Sequence, residues 1–186
     1  MYYNEFTNRL LDREEIIWSG RPATGLLFTG QDIFLIPFSL LWGGIVLFGA
    51  FATLTQTKEQ PGFPALFLIP FVLIGIYLIV GRFIVDAWLR TSTRYALTNK
   101  RILILRAAPF GKFTALNLDR LPEMSLSESA NGRGTLRFGP QAQWWSGRGN
   151  NFSGWSPSLD PTPQFIAIEN ARSVFDQIQR ATQRAA

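Results

Sequence analysis

Two long apolar runs close together limit this fold more than any other feature. From Ile33 to Leu54 the chain reads IFLIPFSLLWGGIVLFGAFATL without a charged side chain. At 1.5 Å per residue that run makes a helix of about 33 Å, enough to cross a hydrocarbon core of about 30 Å. The second run, residues 63–85, holds one charge, Arg82, near its end, where a long side chain can carry its guanidinium to the interface. Residues 55–62, TQTKEQPG, are all that separate them. So short a connection with a Pro-Gly turn forces the helices antiparallel and adjacent, so a transmembrane hairpin is expected.

A cleaved leader would open with basic residues and a short apolar core, whereas residues 1–32 carry five acidic and three basic side chains. The first helix is therefore expected to be retained, after a cytoplasmic N-terminal segment. Arg82, Arg90, Arg94, Lys100 and Arg101 follow the second helix, and Lys58 alone stands between the two. Positive charge concentrates on the cytoplasmic side, so both termini are predicted to face the cytoplasm. Trp18 and Trp88 flank the runs on that side and, with Arg82, are candidate anchors at the headgroup layer. Within the helices, Ser39 and Gly43 form a small-xxx-small pair, Gly43–Gly44 opens a flat patch beside Trp42, and Pro70 can kink the second helix. That face either packs the hairpin on itself or meets another membrane protein.

Charge divides the chain. Residues 1–81 hold four Lys/Arg against six Asp/Glu, and residues 82–186 hold fourteen against seven. The basic half, residues 90–186, breaks into short apolar or alternating runs punctuated by turn residues, which is the pattern of a small β domain. Strands are expected over 95–98, 102–106, 113–118, 123–127, 135–138 and 165–168, as an antiparallel meander. Asn99–Lys100 suits a two-residue hairpin turn because Asn tolerates positive φ, and Asn131–Gly132 is a second hairpin signal. A helix is expected to start near Asn170, with Ala171, Val174, Phe175, Ile178 and Ala181 on one face and Arg172, Asp176, Gln179, Arg180 and Gln183 on the other. It would cover the open face of the sheet.

The segments IIWSGRP (Ile16–Pro22), RYALTNKRILI (Arg94–Ile104) and FIAIENARSVFDQIQRA (Phe165–Ala181), set around two apolar runs, resemble bacterial membrane proteins with a pleckstrin-homology-like domain. The resemblance runs from about Glu15 to Ala181. It implies a partly open antiparallel β barrel capped by the terminal helix, at the bacterial inner membrane. It implies little about activity, because fold and function are separable. The phosphoinositide-binding basic pattern of eukaryotic members does not align onto these residues.

The chemistry a chain like this can perform is narrow. It has no Cys and no His, which removes thiol nucleophiles, thiolate metal sites and the commonest general base. There is no phosphate-binding G-x-x-x-x-G-K-[ST] string. Asp119, Glu123, Glu128 and Asp160 fall at strand ends and loops with nothing to orient them as an acid–base pair. GRGTLRFG lacks the full aromatic-basic pattern of an RNA-binding strand. No catalytic, cofactor-binding or metal-binding residue is expected, and no nucleic acid partner.

Contact residues are a different matter. Residues 141–163, QAQWWSGRGNNFSGWSPSLDPTP, gather Trp144, Trp145, Arg148, Phe152 and Trp155 in a connection long for a compact domain. These aromatics can pack back on the barrel, insert at the bilayer surface or anchor a partner protein. The basic cluster Arg90, Arg94, Lys100, Arg101, Arg106 and Lys112 is either the orientation signal plus ordinary β-surface charge or a surface for lipid headgroups or an acidic protein. The expectation that follows is a non-enzymatic accessory or scaffold subunit that docks on other membrane proteins through Ser39, Trp42, Gly43 and the β domain. The alternative is a membrane-tethered module that senses anionic lipid through Arg94, Lys100, Arg101 and the tryptophan segment.

Overall fold

The structure, a computed structural model, describes residues 4–28, 30, 32–56, 63–107, 111–129, 132–140 and 156–185. A short helix α1 (Asn4–Thr7) and strand β1 (Ile16–Gly20) precede α2 (Asp32–Gln56). A second helical rod follows, made of α3 (Phe63–Ile76), a π turn at Tyr77–Gly81 and α4 (Arg82–Thr91). Both rods contain a stretch long and apolar enough to cross a membrane, Asp32–Thr53 and Ile69–Thr91. Their outer faces carry large exposed apolar side chains, among them Phe34, Leu41, Phe48, Phe51, Leu73 and Ile84.

The rods pack antiparallel, since Asp32 at the start of α2 meets Arg82 while Gly43 further along meets Gly75. A Cβ on Gly75 would lie 3.5 Å from the Gly43 Cα, and one on Gly43 would lie 2.6 Å from Ile79 Cδ1. The absence of side chains lets the two backbones approach closely, as at small-residue helix crossings. In the π turn the Arg82 N–H reaches back to the Tyr77 carbonyl, one residue further than in an α-helix. The extra residue rotates everything after it, which aims Arg82, Asp86 and Arg90 at the protein interior.

The β region contains two antiparallel sheets. One has the order β1-β2-β3-β4, with β2 (Thr93–Thr98), β3 (Arg101–Arg106) and β4 (Lys112–Asn117). The other has the order β5-β6-β7, with β5 (Met124–Glu128), β6 (Arg133–Phe138) and β7 (Gln164–Glu169). Six of the seven strands lie within a residue or two of their sequence expectation. β1 was not expected, because residues 1–32 read as a separate segment. It pairs with β2, so the whole helix pair is an insertion between two neighbouring strands of one sheet.

The sheets do not close into a barrel, and no ladder joins β4 to β5. At the other edge one backbone bond bridges the gap, from the Ala23 N–H to the Ala167 carbonyl at 3.0 Å. Ala167 holds a φ of 46° within a bulge of β7, where Ile166 and Ala167 together face Thr135 of β6, an αL conformation uncommon for a non-glycine residue.

Phe165 is the hub of the core between the sheets. Its ring lies 4.5 Å from Tyr95, 5.2 Å from Phe138 and 5.5 Å from Trp18, centroid to centroid. Leu97, Ile102, Leu118 and Leu136 complete it, and α5 (Ala171–Ala185) seals it with Ala171, Val174, Ile178 and Ala181, the face expected from sequence. Each large side chain removed from water here contributes roughly 1.5–3 kcal/mol. Gly134 admits α5, since a Cβ there would lie 2.7 Å from that of Ala171. The helix starts where expected, with Asn170 at φ 51° just before Ala171 and its carbonyl accepting the Val174 N–H at 3.2 Å.

Candidate functional site

The candidate site is the junction where the helix pair meets the sheets, and it is built from charged side chains that would be costly to bury singly. Asp86 and Arg90 are one turn apart on α4 and are 4% and 2% exposed. Arg90 Nε donates to Asp86 Oδ2 at 2.8 Å, and its two terminal nitrogens donate to the carbonyls of Ala23 and Gly25. The other carboxylate oxygen of Asp86 accepts the Ser158 N–H at 3.0 Å. Arg106, on β3, donates to the Ser158 carbonyl. The Asp86–Arg90 pair therefore ties α4 to the segment after β1, to the 3-10 turn at Pro157–Leu159 and, through that turn, to β3. A buried pair satisfied this fully is held by geometry and strongly resists separation.

A second ion pair sits one helical turn further up. Arg82 Nη1 lies 2.7 Å from Asp32 Oδ1, both side chains are over nine-tenths buried, and Arg82 Nε donates to the Leu78 carbonyl. The guanidinium also stacks over Phe83 at 4.3 Å. The sequence suggested an arginine that snorkels to an interface. The structure turns it inward, because the π turn puts it opposite Asp32.

At the far end of the sheet the N-terminal segment is clasped. Glu14 is buried, and its carboxylate accepts from Arg101 Nε and Nη2 at 2.8 and 2.9 Å, from Thr98 Oγ1 at 2.8 Å and from the Leu11 N–H at 2.6 Å. Burial pushes this carboxyl up, but those hydrogen bonds and the Arg101 charge outweigh it and hold it below its ordinary value. Lys100 Nζ donates to the Asp12 carbonyl at 2.6 Å, and Asn99 bonds to Glu15 and Arg13. The β2–β3 turn is closed by Thr98 Oγ1, which accepts the Arg101 N–H at 2.9 Å, and Asn99 is not among the positive-φ residues. The clasp seats Phe6 against Ala96 and Leu103 on the outer face of the sheet.

These contacts reassign several residues singled out from sequence. Arg94, Lys100 and Arg101, candidates for lipid or partner contact, engage the chain's own N-terminal segment, Arg94 through Glu5 at 3.5 Å, and Arg94 also donates to the nearby carbonyls of Thr91 and Thr93. Ser39 is buried and bonded to the Ile36 carbonyl, and Gly43 faces the second rod, so this pair packs the hairpin, whereas Trp42 remains exposed. Trp18, a candidate interface anchor, packs on Phe165 because it lies on the inner face of β1. Trp88 is exposed on α4. Trp144, Trp145, Arg148 and Trp155 lie outside the described residues, as does the connection over 57–62.

Among the candidate carboxylates, Asp160 proves to be oriented. It accepts the Thr162 N–H at 2.9 Å and lies 3.7 Å from Arg137. Asp119 and Glu128 lie 3.8 Å from Arg120 and Arg172 at the surface. Sequence reasoning missed Asp86, Asp32 and Glu14, and counted Arg90 only among the basic cluster. The i, i+4 spacing of Asp86 and Arg90 was the available signal. The partners of Asp32 and Glu14 lie 50 and more residues away and leave no local trace.

Tyr95 and Arg106 complete the junction's electrostatics. The Tyr95 hydroxyl accepts the Ile166 N–H at 3.0 Å, and its complete burial drives its acidity down, well above the ordinary phenol value. Burial lowers the Arg106 pKa, with nearby Tyr95 and Asp86 opposing the shift. Comparison with family models, curated proteins and solved structures gives no match.

Proposed function

We propose that the chain is a non-enzymatic accessory or scaffold subunit of the bacterial inner membrane, spanning it twice, with both termini and the β region in the cytoplasm. The observation that carries this reading is the junction. The Asp86–Arg90–Ser158 network fixes the β region to the base of the helix pair, while the outward helix faces around Trp42, Phe48 and Leu73 stay apolar and exposed. A domain welded to two helices holds anything docked on one part at a set position relative to the other. Pleckstrin-homology-like architecture is supported by four strands followed by three and a terminal helix over the core.

The pairing of β1 with β2 supports the topology. The chain leaves for the helix pair from one strand and returns into its immediate neighbour, so the two chain ends share a side of the bilayer. Lysine and arginine asymmetry makes that side cytoplasmic. The chain lacks cysteine, which makes the test clean. In intact spheroplasts, K58C is expected to react with a membrane-impermeant maleimide and D119C to react only after lysis; the reverse pattern overturns the orientation.

Docking has its own test. Extraction in mild detergent is expected to bring a second integral membrane protein with the chain, and a photo-crosslinker at Trp42 is expected to capture it where one at Ser39 does not. A lone monomer with no crosslink from either position refutes the scaffold role. Of the residues offered for the lipid-sensing alternative, Arg94, Lys100 and Arg101 also bond within the chain, and Trp144, Trp145 and Trp155 lie outside the described residues.

A further inference from the structure

Helix α4 is amphipathic the wrong way round for a helix in water. Its charged side chains Arg82, Asp86 and Arg90 point into the protein and are 3%, 4% and 2% exposed, whereas Ile84 and Trp88, one turn apart, point outward and are each more than half exposed. A helix on the surface of a water-soluble domain arranges those classes in the opposite sense. Charges turned inward and large apolar side chains turned outward are what a lipid surrounding demands.

A second pair of outward apolar side chains stands beside α4, in the segment between β1 and α2. Leu26 and Phe28 are each 63% exposed, and the Phe28 ring lies 5.5 Å from that of Phe83 on α4, centroid to centroid. The segment is held from behind. Gly25 turns at φ 93°, and the carbonyls of Ala23 and Gly25 accept from the buried Arg90. The protein satisfies these backbone acceptors and leaves the large side chains outside.

The depth of this neck follows from helix length. Asp32–Thr53 holds 22 residues, about 33 Å of helix against a hydrocarbon core of about 30 Å, so Asp32 stands at the edge of that core. Arg82, paired with Asp32 at 2.7 Å, shares its level. Ile84 and Trp88 lie about 3 and 9 Å beyond Arg82 along the axis, and the headgroup layer on each side of the core is about 5–8 Å thick. Leu26 and Phe28 precede Asp32 by six and four residues and lie on the same side.

We infer that Leu26, Phe28, Ile84 and Trp88 form an interfacial wedge that enters the leaflet at the boundary of headgroups and acyl chains, and so seats the β region on the membrane surface. The occupant of this face is lipid by continuity, because the wedge extends the outward apolar faces of the two spans and lies at headgroup depth. Interfacial segments bury their apolar side about 5–10 Å into that boundary, and an indole ring is favoured there. This contact rests on the membrane reading above and adds a point of insertion outside the two spans.

Single-cysteine variants of the full chain, each carrying a nitrobenzoxadiazole label, test this in nanodiscs of phosphatidylethanolamine and phosphatidylglycerol. L26C and W88C probe the wedge, I45C the exposed middle of α2 and D119C the surface of the β region. Quenching is read with nitroxide lipids labelled near the headgroup or near the chain end, and with aqueous iodide. L26C and W88C are expected to be quenched more by the shallow nitroxide than by the deep one, and severalfold less by iodide than D119C. I45C is expected to show the reverse order of nitroxides, and D119C to respond to iodide alone. I84C reads the same face should L26C lower the melting temperature. Iodide quenching of L26C and W88C equal to that of D119C, with I45C still quenched by the deep nitroxide, overturns the wedge and leaves the spans standing. An I45C label that neither nitroxide lipid quenches overturns both. Wedge labels open to iodide in nanodiscs yet protected in native membranes assign the face to a protein and overturn the lipid contact.

Discussion

Substitution of Asp86 by alanine puts the junction under its most direct strain. The carboxylate it removes accepts from Arg90 Nε at 2.8 Å and from the Ser158 N–H at 3.0 Å, at a position 4% exposed. What remains is an arginine 2% exposed with two carbonyl acceptors and no counter-charge, and a buried N–H with no partner. Breaking a buried ion pair from one side costs about 3–5 kcal/mol, and the orphaned amide alone accounts for about 1–3 of that range. The two losses share one carboxylate and do not add, so about 4 kcal/mol is expected for D86A. In a chain of this length each kcal/mol moves Tm by about 2–4 °C, which makes the shift about 8–16 °C. Thermal unfolding of the detergent-solubilised full chain, followed by near-UV circular dichroism, reads it directly. D86N keeps an acceptor for Ser158 and is expected to lose about half as much. D86L/R90M removes both charges and is expected to recover most of the loss, because an apolar pair of similar volume leaves nothing uncompensated. A D86A variant within about 3 °C of the parent, or a double variant no better than D86A, would refute the assignment of the junction to this pair.

The clasp and the helix crossing make further predictions. The Glu14 carboxyl titrates below its unfolded value, so its contribution to stability is complete above the unfolded pKa and is lost as pH falls through the folded one. The N-terminal segment should therefore loosen below about pH 4.5, and E14Q should loosen it at neutral pH by about 2 kcal/mol, seen as faster trypsin cleavage after Arg9 and Arg13. Unchanged cleavage in E14Q would mean that the Glu14 carboxylate does not hold the segment. G43L forces a side chain into Ile79 and is expected to destabilise the hairpin by about 1–3 kcal/mol, while G44L, with open space around it, is expected to be near neutral. Equal melting temperatures for these two variants would mean that the Gly43 face does not pack the hairpin.

The sequence by itself determined what depends on near neighbours along the chain. Charge-free length marked the two helices, period-two patterning and turn residues marked six strands, and three- and four-residue spacing marked the buried face of α5. Those signals are local, because a helix or strand buries one face whose period is written in consecutive residues. The membership of β1 in the sheet was not legible. Its five residues lie across the whole helix pair from β2, and IIWSG reads equally well as an approach to a membrane span. The intrachain partners of the charges were not legible for the same reason. Arg94, Lys100 and Arg101 look available to a partner because Glu5 and Glu14 are close to ninety residues away, and only the folding of the N-terminal segment against β2 and β3 brings them together. Arg82 looks like a snorkelling side chain until the π turn rotates it onto Asp32. An apolar residue's fate follows from its own chemistry and its helical or strand phase. A charged residue's fate is set by which opposite charge the fold delivers within about 4 Å, and that is a property of tertiary structure.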